Sequence, residues 1–265
     1  MRRGKTMTHS TTISQDVLDI LAQCTTDGNN LYLPPVQLDR ALYTAVNKVL
    51  EILGGKWNRS AKAHVFDCDP SSDLAAAIES GKVEDWKKKY QFYETPVELA
   101  ERMVGLAELE AGHSILEPSA GKGAIARVIW KRMPDSCTLG VIEIYQPNRN
   151  ALVEQDFYLV GTDFLEFVTD GDLIPSYNHI IMNPPFTGLQ DVDHVLHAYE
   201  CLAPGGRIVA IMGESAFFVD YKKAVAFREW FEEVGGWSEQ LPQDTFKVSG
   251  AGGKSRIVVI DKETG

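Results

Sequence analysis

From residue 96 onward, short apolar runs alternate with amphipathic stretches, and this alternation restricts the possible folds more than any other feature of the chain. The spacing predicts helices over 96–109, 122–132, 146–153, 191–202 and 221–234. Between them it predicts strands at 114–117, 138–142, about 157–160, 178–182 and 206–212. Two further strands, at about 243–248 and 255–261, read as a closing hairpin. Helices that follow strands one for one carry the chain back to the same sheet edge, so the strands run mostly parallel and are covered on both faces. The fold class is therefore α/β, a doubly wound, mostly parallel seven-stranded sheet. Folds of this kind bind ligands at the carboxyl ends of their strands.

The part before residue 90 reads differently. Residues 1–30 carry little periodicity, start basic (MRRGKTMTHSTT) and end in the turn-like TTDGNN, so they read as a flexible N-terminal tail. The tail has no apolar h-region, which excludes a secretory signal. Val36, Leu42, Val46, Val49, Leu50 and Leu53 recur at helical intervals over 36–53, and Gly54-Gly55 closes that helix. KWNRSAKAHVFD follows with a short strand at AHVF, then helices over 72–80 and 83–89. Residues 31–90 thus form a small helical, winged-helix-like domain beside a larger one at 91–265.

With 265 residues, the chain has room for one large α/β domain and a small extra element. No apolar run is long enough to span a membrane. The four cysteines lack metal or redox spacing, which fits a reduced, cytoplasmic setting. A net charge of −11 argues against a nonspecific polycationic binder, although a local basic patch suffices for nucleic acid. Such a patch lies in KWNRSAKAH, where Lys56, Arg59 and Lys62 can meet phosphates and Trp57 can stack or wedge.

ILEPSAGKGAIARVIW is a strand, a glycine-bearing turn and a helix. Gly121 and Gly123 let the backbone turn tightly and approach a ligand, and the helix N–H groups face the same place. Pro118, Ser119 and Ala120 complete the loop. The spacing is not that of a phosphate-binding Gly-Lys-Ser/Thr loop, and Glu117 at the strand end would repel a pyrophosphate while favouring a cation. Glu143, about twenty residues on, ends the next strand in the position of a ribose-binding carboxylate, with Ile144 beside it. Asp163 follows the third strand, where it can accept from an adenine amino group, and Phe164 can pack on the ring.

IIMNPPFTG then ends a buried strand in Asn183, Pro184, Pro185 and Phe186. FYETP (92–96), LEPSAGKGAIA (116–126), VIE (141–143), GTDFLEF (161–167) and NPPF (183–186) together resemble the motifs of S-adenosylmethionine-dependent N6-adenine DNA methyltransferases. The match covers residues 90–262, in an order similar to the γ arrangement of those enzymes. The resemblance implies a Rossmann-like class I methyltransferase fold, S-adenosylmethionine as cofactor, and DNA as substrate after an adenine is flipped out. It places Tyr93, Thr95 and Pro96 on the methionine side of the cofactor pocket. It also implies a second base-contacting aromatic in the closing hairpin, for which LPQDTFKVSGAG offers Phe246 beside Lys247.

The chemistry asked of NPPF is specific. The lone pair of an adenine amino nitrogen is delocalised into the ring, so the nitrogen is a poor nucleophile. Asn183 Oδ1 and the Pro184 carbonyl can hold both N–H bonds, and the prolines fix φ and remove competing donors. Phe186 can stack on the base. In-line displacement then needs no metal. Asp191, His194 and His197 in DVDHVLHAYE have loose metal-like spacing but no fourth ligand, and read as helix face.

The resemblance also extends to solitary methyltransferases of phages and mobile elements. γ-order enzymes often carry a target-recognition domain after the core; here the chain stops at the hairpin, which implies short or relaxed sequence preference. The rival substrates are RNA, methylated by a similar site, and protein glutamine, whose motif usually reads NPPY and so disfavours Phe186. A non-catalytic cofactor-binding subunit is a further rival.

Overall fold

The computed structural model describes residues 10–66, 69–84, 93–167, 176–243, 245–246 and 254–264. The backbone divides into two compact units, Met1–Gln91 and Phe92–Gly265.

In the larger unit, seven strands form one sheet: β7 (Ser114–Glu117), β8 (Thr138–Ile142), β9 (Tyr158–Gly161), β10 (Tyr177–Met182), β11 (Leu202–Gly213), β12 (Trp237–Gln240) and β13 (Ser255–Asp261). Their order across the sheet is β12-β13-β11-β10-β7-β8-β9. β13 is antiparallel to both β11 and β12, and the other pairings are parallel. The chain order reverses between β7 and β10, which leaves a crevice at their carboxyl ends.

Strand periodicity sorts the core into two layers. Ile115, Val141, Ile181, Val209 and Ile211 point to one face, under Leu99 and Met103 of α4 (Val97–Ala107), Ile125 and Ile129 of α5 (Ala124–Arg132), and Leu152 of α6 (Gln146–Glu154). Leu116, Ile142, Ile180, Met182, Ile208 and Ala210 point to the other face, under Val192 and Val195 of α7 (Gln190–Glu200) and Phe227 and Phe231 of α9 (Lys222–Glu233). Successive side chains on a strand alternate faces, so each buried run feeds both layers.

The hairpin departs from the expected registry. Its first strand is Trp237–Gln240 rather than 243–248. WSEQ is polar and lies at the sheet edge, so it lacks the apolar alternation that marks the interior strands. Thr245 and Phe246 instead sit in a turn, where Thr245 N–H donates to the Pro242 carbonyl at 3.0 Å.

The smaller unit corrects the tail reading. Residues 10–30 are folded: β1 (Ser10–Thr12) pairs with β6 (Lys82–Glu84), and α1 (Gln15–Leu21) buries Val17, Ile20 and Leu21. TTDGNN contains a two-residue hairpin turn at Gly28 and Asn29, since Asp27 of β2 (Thr25–Asp27) pairs with Asn30 of β3 (Asn30–Tyr32) and Gly28 has φ of 53°. β2 and β3 join β4 (Lys56–Asn58) and β5 (Ala63–Val65) in a four-stranded antiparallel sheet ordered β2-β3-β5-β4.

The unit is thus α+β rather than a mainly helical winged-helix piece. α2 (Arg40–Ile52) is capped by Asp39, which accepts from Leu42 N–H at 2.9 Å. Gly55 has a steric reason: a Cβ there would lie 2.5 Å from the buried Phe66 ring. α3 (Ser71–Ser80) matches the expected helix, whereas the helix predicted over 83–89 begins as strand β6, and 85–89 lie outside the described residues. Among the described residues, no helix is long and apolar enough to cross a membrane.

Candidate active site

Three acidic or amide side chains stand at the ends of three adjacent strands. Glu117 ends β7, Glu143 follows β8 and Asn183 follows β10, with β7 central.

Glu143 is buried and holds the glycine loop: Gly121 N–H donates to Oε2 at 2.7 Å and Tyr145 N–H to Oε1 at 2.7 Å. Burial raises its carboxyl above the usual range, against the pull of those two N–H groups, Asn148 and Arg149. With the Asn148 side chain as a third donor, the carboxylate still keeps an acceptor site to offer a hydroxyl. The loop turns on Gly121 (φ 56°) and Gly123 (φ 82°), and Gly123 starts α5. Pro118 and Ala120 are buried, Ser119 is partly exposed, and Ala120 N–H donates to the Ile142 carbonyl at 3.0 Å.

Glu117 is almost wholly buried, and its Oε2 has no hydrogen-bond partner. Burial raises its carboxyl well above the ordinary value; Glu143 adds to the rise, while the Ala126 N–H and Arg127 oppose it. An unpartnered buried carboxylate oxygen costs about 1–3 kcal/mol or more, and a cationic donor would relieve that cost. The ammonium of S-adenosylmethionine is such a donor, so the residues present fit that cofactor.

Asn183 is oriented by FYETP. Its Nδ2 donates to the Tyr93 carbonyl at 3.3 Å and to Thr95 Oγ1 at 3.0 Å. A carbonyl can only accept, so the nitrogen must face Tyr93 and Oδ1 is turned the other way. Thr95 is buried and Pro96 begins α4, which anchors the segment. The sequence reading assigned Tyr93, Thr95 and Pro96 to a cofactor wall; Tyr93 and Thr95 also fix an amide ninety residues away. Spacing gave no signal for that link.

Pro184 is buried, and Pro185 and Phe186 are partly exposed. Phe186 lies over the end of β11, where a Cβ added to Gly213 would stand 3.3 Å from Phe186 Cβ. Asp191 locks this corner by accepting from Gly213 N–H at 2.9 Å and Val192 N–H at 3.1 Å. Burial pushes its carboxyl up to about 6. The other two members of the metal-like trio also bond within the fold. His194 Nδ1 lies 2.8 Å from the Gln190 carbonyl, and His197 meets Glu200 and the Phe167 carbonyl. Among the described residues, no group of three or more His, Cys, Asp or Glu could hold a metal ion.

Two aromatic assignments change. Phe164 is buried against His194 and His197, with ring centroids 5.8 and 4.8 Å away, in the layer under α7. It is core, because an apolar ring beside Asp163 gains more from that layer than from the rim. Phe246 is 3% exposed in the opposite layer, with Leu241 and Ile257, and so offers no open face to a base.

Asp163 is partly exposed and accepts from Leu165 N–H at 3.0 Å. Leu165, two residues past Asp163, and Ile144, next to Glu143, are both exposed. Lys247 lies outside the described residues. Lys56, Trp57, Arg59 and Lys62 are exposed on or beside the β4–β5 hairpin of the smaller unit.

No protein-family model and no curated protein matches the sequence. Solved structures do match. The methyltransferase subunit of a type I restriction-modification system from Streptococcus thermophilus is 16% identical, with a TM-score of 0.55, over 63% of this chain and 44% of that one. TrmN from Thermus thermophilus is 19% identical, with a TM-score of 0.45, over 63% and 48%. A dimethyladenosine transferase from Plasmodium falciparum is 12% identical, with a TM-score of 0.48, over 64% and 63%. The chain spans less than half the length of the first two. The strand order and the first of these likenesses place the larger unit in the Rossmann-like class I methyltransferase fold.

Proposed function

We propose that this protein transfers a methyl group from S-adenosylmethionine to the N6 amino group of an adenine in DNA, the base being turned out of its stack. The observation that carries the reading is the tethering of Asn183 Nδ2 by Tyr93 and Thr95, which commits Oδ1 to accepting. A nucleophile with two N–H bonds to hold needs acceptors, and Oδ1 together with the Pro184 carbonyl supplies them. A pair held rigidly beforehand needs little reorganisation during reaction.

The bound cofactor would supply an electrophilic methyl on a sulfonium. Glu117 would take its ammonium and Glu143 its ribose hydroxyls, with Asp163 and Ile144 at the adenine end. Phe186 would stack on the target base and keep its nitrogen in line. The exposed β4–β5 hairpin would grip phosphate through Lys56, Arg59 and Lys62, with Trp57, 49% exposed, as an aromatic contact. The structure whose fold this unit shares is a restriction-modification system methyltransferase subunit.

The test is transfer of label from radioactive S-adenosylmethionine to duplex DNA, single-stranded DNA, RNA and protein. Wild type should label DNA at adenine N6. Asn183→Ala should lower kcat by about 10²–10³-fold, the scale for losing one preorganised polar group, with cofactor affinity within a few fold. Labelling of RNA or glutamine alone, or an active Asn183→Ala, would refute the assignment.

A further inference from the structure

With Phe246 in the core, the other described hairpin aromatic is Trp237, which pairs with Val259, away from the Gly213–Ser255 end of the sheet. A different pair stands at the rim. Phe218 ends the short helix α8 (Ser215–Phe218), which begins two residues after β11, and Tyr221 precedes α9. Phe218 is 67% exposed and Tyr221 is 70% exposed. The segment bearing them is firmly held. Arg228 donates to the Val219 carbonyl at 3.0 Å and to the Ala216 carbonyl at 3.3 Å, and Tyr221 O accepts from Val225 N–H at 3.0 Å. Phe217, just before Phe218, packs edge-on against Phe227 and Phe231, with ring centroids 5.8 and 5.7 Å away. Two large aromatic rings therefore stay in water on an anchored turn, although burial would favour them.

Their place and surroundings suggest an occupant. β11 ends at Gly213, against Phe186, so α8 continues the rim on which Phe186 sits. The Arg256 guanidinium lies 5.8 Å from the Phe218 ring centroid and is held by Glu214 at 2.9 Å. Arg256 is on β13, two strands from β10, or roughly 10 Å at ordinary strand spacing. That is too far for the base held at Asn183 and suits its neighbours in the same strand. Exposed Lys222 and Lys254 flank the shelf; Lys254 gives its carbonyl to Glu214 N–H at 3.1 Å.

We infer that Phe218 and Tyr221 form a stacking shelf for unpaired bases flanking the target adenine, so that the preferred substrate is single-stranded DNA. The inference rests on the methyl-transfer reading above. Paired bases hide their faces in the duplex stack, and only unpaired ones can use open rings. A single strand also spares the enzyme the unpairing cost of extruding the target. The larger unit carries fourteen Lys/Arg against twenty-six Asp/Glu, so counterion release alone would attract a duplex poorly, and stacking supplies affinity that charge cannot.

The experiment is fluorescence anisotropy of the full chain with a labelled single-stranded DNA containing one adenine, its duplex, and RNA of the same sequence. Wild type, Phe218→Ala, Tyr221→Ala and Phe218→Tyr are compared, and cofactor binding reports that each is folded. Phe218→Ala should raise the single-strand Kd about tenfold, Tyr221→Ala should also raise it, and Phe218→Tyr should stay near wild type. An abasic site beside the adenine should weaken wild type similarly and add little to Phe218→Ala. Alanine variants that bind like wild type, a duplex bound as tightly as the single strand, or binding of RNA alone would overturn the shelf. Failure of wild type to methylate any polynucleotide would instead remove the methyl-transfer reading, while the Kd comparison still judges the shelf.

Discussion

At the scale of single residues, hydrogen-bond inventory decides roles that residue type leaves open. Thr95 is the clearest case, since its hydroxyl accepts from the amide that, in the proposed reaction, presents an oxygen to substrate. Thr95→Val keeps the shape and removes the acceptor. It should lower kcat about tenfold, in line with about 1–3 kcal/mol for a stranded buried donor, while Thr95→Ser restores it. Steady-state kinetics checks the split, because a purely structural residue would move thermal stability more than kcat. Asp191 makes a prediction in pH. Its carboxyl is raised from 3.8 to about 6 by burial, so the native state keeps its proton over a range where the unfolded chain has lost it. Its contribution to stability is therefore full below pH about 4, falls as pH rises to about 6 and is then level, a drop of about 3 kcal/mol. Asp191→Asn should flatten that part of a denaturant-midpoint profile.

At the scale of elements, the glycine loop shows how a short motif is enforced by packing. Gly123 has φ of 82°, and a Cβ there would stand 3.1 Å from Leu152 and 3.2 Å from Phe157, both buried. Backbone strain and crowding act together, so Gly123→Ala should destabilise the larger unit by about 1–3 kcal/mol and weaken cofactor binding. Denaturant unfolding and titration calorimetry would measure both. The elements themselves were legible where their residues alternate in kind. All five interior strands of the larger unit stand where apolar runs predicted them, within a few residues. Edge elements were less legible: WSEQ is polar, and KVE at β6 has too few residues for a period to show. TTDGNN reads as a tail end in sequence because a hairpin turn is recognised only when both flanking strands are.

At the scale of the whole molecule, charge is divided between the units. Residues 1–91 hold twelve Lys/Arg and eleven Asp/Glu, against fourteen and twenty-six in 92–265. A polyanion would therefore meet least repulsion at the smaller unit, where residues 54–66 contain no acid. Replacing Lys56, Arg59 and Lys62 by Ala should weaken DNA binding and lower the salt dependence of log Kd by about one unit per lost phosphate contact. Cofactor affinity should be unchanged, because every candidate cofactor residue lies in 93–183. Filter binding over a salt series measures the slope.

By itself the sequence determined the layered sheet, through alternation that leaves each run no other way to bury both sides. It also determined the chemical character of the strand tips, because glycine, acid and Asn-Pro-Pro are local demands on backbone and charge. Only the tertiary structure decided which aromatic rings face solvent and which fill the core. Phe164 and Phe246 are buried while Phe218 and Tyr221 are not. A ring's burial depends on what the rest of the chain packs against it, and the tether from Asn183 to Tyr93 and Thr95 likewise exists only once ninety residues have been folded between them.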